Sequence, residues 1–185
     1  MLFEIGVHAI VDGYYREAIS SFASSLERFY EFFIRVAQEH LCASDLPFKN
    51  CWKKVSKQSE RQLGAFIFLW SAVFGDAPNL LANDQVELRN AVIHKGKIPT
   101  KGEAILYGNK VLQLLHQYLG EMKLKLPREL VMKVISRYMS EAKLGSDSEN
   151  IISTTSIVTL VGLTHPDGGR ALEDYLPKIR ARKQW

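Results

Sequence analysis

The stretch YYREAISSFASSLERFYEFFIRVAQE, residues 14–39, leaves this chain little choice of fold. Ile19, Phe22, Ala23, Leu26, Tyr30, Phe33 and Ala37 recur at steps of three and four, the spacing that lines one face of an α-helix. Phe29, Phe32 and Val36 form a second stripe beside the first. A helix apolar on two sides is either central to its domain or shared with another subunit. The rest of the chain must supply helices that cover it.

It does so throughout. A short helix near Leu2–Val11 precedes the long one, and Asp12-Gly13 breaks the chain between them. The segment Cys42–Asn50, with Ser44-Asp45 and Pro47, reads as a loop. A third helix follows to about Phe74, turning Leu63, Phe66, Ile67, Trp70 and Phe74 inward. The turn Gly75–Asn79 leads to a fourth helix over about Leu80–His94. Thr100 and Glu103 then have the spacing of a capping box, in which each residue satisfies an orphan N–H of the other. The fifth helix runs to about Leu119, with Ala104, Val111, Leu115 and Tyr118 on its core face and Gly108 letting another helix approach. Beyond Lys123, Pro127 opens a sixth helix. Gly145–Ser148 is a linker, Ile151–Leu163 has a strand-like composition without an evident partner, and a last helix covers about Arg170–Arg182. The reading is all-α: a helical domain over residues 1–123 and a smaller, mainly helical extension over 124–185.

With 46% apolar and 24% charged residues, the 185-residue chain has the balance of a soluble globular protein. The N-terminal MLFEIGVHAIV has no basic leader, and the most apolar segment, Gly64–Gly75, is too short to span a bilayer. Cys42 and Cys51 are too few for a disulfide framework and suit a reducing cytoplasm. His40, Cys42 and Cys51 lack a fourth ligand at zinc-finger spacing, so neither metal nor cofactor is expected. Lysine and arginine exceed the acids by 24 to 20, a mild bias that permits a nucleic-acid partner without requiring one. Lys49, Lys53, Lys57 and Arg61 recur every four residues with Lys54 alongside, a stripe that serves either as a solvated helix face or as a track for phosphates.

The chemistry concentrates in LRNAVIHKGKIPTKGEA, residues 88–104. Asn90 and His94, four apart, share a helix face, whereas Arg89 and His94 diverge by about 140°. Arg89 and His94 therefore meet around one group only if the helix unwinds near His94 or a second copy packs across Leu88, Ala91 and Val92. Histidine can take a proton from a nucleophile and return it to a leaving group. Arginine offers a planar cation to phosphate oxygens. With a ribose 2′-OH as nucleophile, this set suffices to cleave RNA without a metal. Arg35 and His40 have the same separation, so spacing alone decides nothing.

Context separates the pairs. LRNAVIHKG, followed by a loop, Pro99 and a capped helix, resembles the signature of the HEPN superfamily (higher eukaryotes and prokaryotes nucleotide-binding), and the long helix with the apolar helix after it resembles that family's antiparallel bundle. The resemblance covers roughly residues 1–123. It implies a homodimer whose two motifs face each other in a composite site, typically a metal-independent endoribonuclease of toxin or antiviral-defence systems. His94 would be the general base or acid, Arg89 the phosphate and transition-state ligand, and Asn90 a positioning residue, with RNA as substrate and an antitoxin or regulatory protein as a further partner. Gly96 stands where toxins paired with small nucleotidyltransferase antitoxins often carry tyrosine, which argues against that subtype.

Candidate RNA contacts are Lys95, Lys53, Lys57 and Arg61. The competing readings are a non-catalytic HEPN module that binds RNA or a protein partner, and an unrelated helical scaffold whose polar residues merely cap a helix or pair with neighbours such as Glu87. His116 reads as packed or exposed, and His165–Gly169 as a turn lacking P-loop context. Ser24-Ser25 and Thr154-Thr155 have no hydrolase partners, and Lys178, Arg180, Arg182 and Lys183 make a basic tail.

Overall fold

The computed structural model describes residues 2–42, 44–144 and 171–182. Among them the secondary structure is entirely helical: α1 Leu2–Asp12, α2 Tyr15–His40, α3 Asp45–Val55, α4 Ser59–Phe74, α5 Asn83–His94, α6 Lys101–Lys125, α7 Arg128–Leu144, a 3-10 turn at Leu172–Asp174 and α8 Leu176–Arg182. The protein is all-α. The Gly145–Ser148 linker, the strand-like Ile151–Leu163, Thr154-Thr155, the His165–Gly169 turn and Lys183 lie outside the described residues.

The helices group into two compact units. The first holds residues 2–26, Asn79–Leu119 and 171–182, and the second Glu27–Pro78 and 120–144. Lys123 lies inside α6, which continues past it to Lys125.

In the first unit, Phe3, Val7 and Ile10 of α1 are buried with Ile19, Phe22 and Leu26 of α2 and Tyr107, Val111, Leu115 and Tyr118 of α6. Phe22 is the centre of this packing. Its ring lies 4.8 Å from that of Phe3, and a Cβ on Gly6 or Gly108 would stand 2.6 or 2.7 Å from it. Gly108 thus serves the close helix approach expected of it. Leu172 closes the same notch, fully buried, 3.2 Å from where a Gly108 Cβ would stand. Asn109 fastens the segment there, accepting from the Leu172 N–H at 2.7 Å and donating to Glu173 at 2.9 Å.

In the second unit, Phe66 and Trp70 of α4 pack on Tyr30 and Phe33 of α2, with ring centroids between 4.5 and 5.4 Å apart. Most of both stripes of α2 is buried within this chain: Phe29 and Val36 are as covered as Phe22 and Phe33, while Phe32 is only half-buried. Glu31 is buried too. It receives Arg28 at 2.5 Å, has Arg35 at 3.7 Å and accepts the Tyr138 hydroxyl of α7.

Two expectations change. The loop assigned to Cys42–Asn50 ends at Ser44, because Pro47 falls in the first turn of α3, where no intrahelical partner awaits its missing N–H. The single third helix is two. α3 ends at Val55 with Ser56 as its C-cap, Gln58 is extended at φ −137°, and Gln62 and Arg61 of α4 reach back to the Ser56 and Lys54 carbonyls at 2.8 and 2.9 Å. The four-residue lysine–arginine spacing therefore does not continue as one helical stripe from Lys53 to Arg61.

Candidate functional site

Helix α5 points Gln85 and Val92 inward, both buried, and leaves His94 exposed at its last position. Leu88 and Ala91 are half-buried beside Val92. The apolar stripe thus faces largely into its own unit, and Asn90 and His94 occupy another side of the helix.

The helix does not unwind before His94. It ends immediately after it, with Lys95 as C-cap and Gly96 at φ 72°, the left-handed conformation that glycine accepts without a Cβ clash. The Lys95 and Lys97 amides both donate to the Ala91 carbonyl, at 3.1 and 3.0 Å. The chain is then pinned again. Lys97 Nζ reaches Glu103 at 2.6 Å, the Thr100 N–H donates to the same carboxylate at 2.7 Å, and the Glu103 N–H donates to Thr100 Oγ1 at 3.2 Å. The expected capping box is present, with Lys97 added to it. Hydrogen bonding from Lys97 and the Thr100 amide drives the Glu103 carboxyl down to about 2. The other end of α5 is approached through Asn79, whose carbonyl accepts the hydroxyl of the buried Tyr118.

The Arg89 backbone position stands about 140° round the helix from that of His94. Its Nη1 donates to Asn90 Oδ1 at 3.0 Å, so the side chains of Arg89 and Asn90 meet. Arg89 and Asn90 are both half-buried. The structure thus joins Arg89 to Asn90, and His94 follows one turn after Asn90 at the exposed end of α5.

The Arg35–His40 pair differs. Arg35 lies within 4.5 Å of the Tyr138 ring centre and 5.8 Å of that of Trp52, besides its approach to Glu31. That guanidinium is committed to packing. His116, on α6, is half-buried, and burial pushes its imidazole below the ordinary value.

Of the candidate RNA contacts, Lys95 adjoins His94 and is exposed, whereas Lys53, Lys57 and Arg61 belong to the second unit. Arg61 is partly engaged by the Lys54 carbonyl. A cavity of about 450 Å³ in the first unit is lined by Ile10, Lys101, Leu176 and Arg180 among others, and not by Arg89, Asn90 or His94. Cys42 and Cys51 are free thiols. Among the described residues no three His, Cys, Asp or Glu side chains are gathered in a metal-binding arrangement, and no helix is long and apolar enough to cross a membrane. Sequence reasoning missed Lys97, whose pairing with Glu103 six residues later follows from the loop's path rather than from helical spacing.

Comparison with protein-family models, curated proteins and solved structures returned no match.

Proposed function

We propose that this protein is a metal-independent endoribonuclease of the HEPN type, acting as a homodimer in a toxin or antiviral-defence role under the control of an antitoxin or regulatory protein. The observation that carries the reading is the Arg89–Asn90 hydrogen bond, with an exposed His94 one turn after Asn90 at the end of the same helix. Two further features support it. The loop after His94 is held by Gly96, Lys97 and Glu103, so the imidazole stands on a rigid helix end. Val86, 40% exposed, and Ile98, 85% exposed, lie on the same helix and in the following loop, apolar surface of the kind a second copy would cover.

In this mechanism His94 takes the proton of a ribose 2′-OH, and that oxygen attacks the adjacent phosphorus. The bond from phosphorus to the 5′ oxygen breaks, and a protonated imidazole of the composite site returns a proton to the leaving oxygen. Arg89 holds the non-bridging oxygens as charge builds on them. The products are a 2′,3′-cyclic phosphate and a 5′-hydroxyl.

The test is cleavage of a mixed RNA pool in EDTA by wild type, His94→Ala, Arg89→Ala and, as internal control, His40→Ala. Cyclic-phosphate ends made by wild type and His40→Ala, and lost in the other two folded variants, are the expected result. Cleavage abolished only by His40→Ala would move the site to the other pair. Retained RNA affinity without cleavage in any sample would replace the enzyme by a non-catalytic binding module.

A further inference from the structure

Helix α3 is anomalous for its length. Eleven residues long, it has no buried side chain, although a short helix in a folded domain ordinarily depends on an apolar face packed beneath it. It is held at its edges instead. Asp45 accepts from Gln38 at 3.0 Å, the Lys54 carbonyl accepts from Arg61, and Arg35 lies over the Trp52 ring. Phe48 and Trp52, one turn apart, are half-buried, their rings within 6° of parallel and 6.3 Å between centres. Lys49, Lys53, Lys54 and Lys57 beside them are exposed, and among the described residues none of their ammonium groups has a carboxylate partner. From residue 45 to 57 these four lysines face a single acid, Asp45.

We infer that α3 is a binding surface for single-stranded RNA, with the lysines following the phosphates and the partly open Phe48–Trp52 pair offering a stacking platform to unpaired bases. Four exposed lysines without an internal partner suit a polyanion, and parallel aromatic rings beside them favour one that has flat faces to stack. A duplex keeps its bases stacked on one another and gains little from such a platform. An anionic membrane shares the charge, but an interfacial helix inserts a broad apolar face. Here the solvent side of α3 carries one large aliphatic side chain, Leu46 at 70% exposure, among lysines and Asn50. The inference extends the ribonuclease reading by giving it a substrate-holding surface, yet it is tested apart from cleavage.

The probe is a fluorescein-labelled 20-nucleotide 2′-O-methyl oligouridine, which has no free 2′-OH to attack the phosphate, with binding followed by anisotropy on the full chain. Wild type should bind it with an affinity that falls steeply with salt. Lys53→Gln/Lys54→Gln/Lys57→Gln should lower the salt slope by about 2, as expected when three phosphate contacts to a single strand are lost. Trp52→Ala should weaken binding about tenfold and Trp52→Phe much less. The lysine variant keeps the test decisive if Trp52→Ala fails to fold. Equal binding by wild type and the lysine variant overturns the inference. So does equal affinity for a duplex of the same length, or capture by phosphatidylserine vesicles with none by the oligonucleotide. Absence of RNA cleavage alongside lysine-dependent binding would overturn only the nuclease reading.

Discussion

Arg89 Nη1 donates to Asn90 Oδ1 across 3.0 Å, so the side chains of two consecutive residues that leave the helix axis about 100° apart meet each other. The bond is local and half-buried, and its removal should be felt in chemistry before stability. Asn90→Ala releases the guanidinium from the amide that holds it. Under the ribonuclease reading kcat falls about tenfold, the scale of a misplaced transition-state contact. Circular dichroism and the melting temperature should stay near wild type. Unchanged cleavage kinetics in a folded Asn90→Ala variant would remove Asn90 from its positioning role.

The Glu103 clamp makes an acid-side prediction. Its carboxyl lies at about 2 instead of the ordinary 4.5, held there first by Lys97 and then by the Thr100 amide. A carboxyl depressed by folding stabilises the protein at pH values above its unfolded value, and the contribution is lost as pH falls from there toward 2. Urea unfolding of wild type and Glu103→Gln should therefore differ at pH 7 and converge between about 4.5 and 2. A difference that persists undiminished at the lower limit would show that the carboxylate's charge is not what holds the loop.

How much of this was legible depended on the range of the interaction. The apolar positions of α2, the Thr100–Glu103 cap and the Gly96 stop were readable because each is set by residues within one or two turns. The break between α3 and α4 was not, since Ser56-Lys57-Gln58 contains neither glycine nor proline and the basic spacing runs straight across it. It is fixed by Gln62 and Arg61 reaching back to carbonyls six and seven residues away. Pro47 was misleading for the opposite reason, a breaker in the one turn that tolerates it. The place of residues 171–182 depends on Asn109, more than sixty positions earlier, which no local pattern announces. At the candidate site, sequence placed Asn90 and His94 on a common face, but the hydrogen bond that joins Arg89 to Asn90 is a property of the packed helix.

Glu31 should be among the most sensitive polar positions. Its side chain is 11% exposed and is met by Arg28, Arg35 and the Tyr138 hydroxyl. Glu31→Ala takes the counter-charge from Arg35 and from the more open Arg28 and should cost about 2 kcal/mol in urea unfolding, the scale for losing hydrogen bonds to a charged group. Tyr138→Phe removes only a hydroxyl hydrogen bond and should cost about 1 kcal/mol. Burial, and then the Glu31 charge, raises the Tyr138 hydroxyl above its ordinary range. A folded value above the unfolded one stabilises at lower pH and is lost as pH rises, so the penalty of Tyr138→Phe should shrink above about pH 10. Equal penalties for the two substitutions at neutral pH would contradict the charged network.

The notch that receives Leu172 allows the sharpest packing test. Leu172 is fully buried, and the ring of Phe22 and the Leu172 methyl both crowd the space above Gly108. Leu172→Ala empties that space and should cost about 2–5 kcal/mol, according to how far the notch collapses. Gly108→Ala fills it from below, with the new methyl 2.7 Å from Phe22 and 3.2 Å from Leu172, and overpacking of this kind costs about 1–3 kcal/mol. The two also differ in where they loosen the protein. Leu172→Ala should speed tryptic cleavage after Arg180 ahead of any global unfolding, because the contact it removes secures residues 171–182, whereas Gly108→Ala should lower the urea midpoint for the first unit as a whole. A wild-type midpoint and a wild-type cleavage rate in Leu172→Ala would mean that this side chain does not hold the segment.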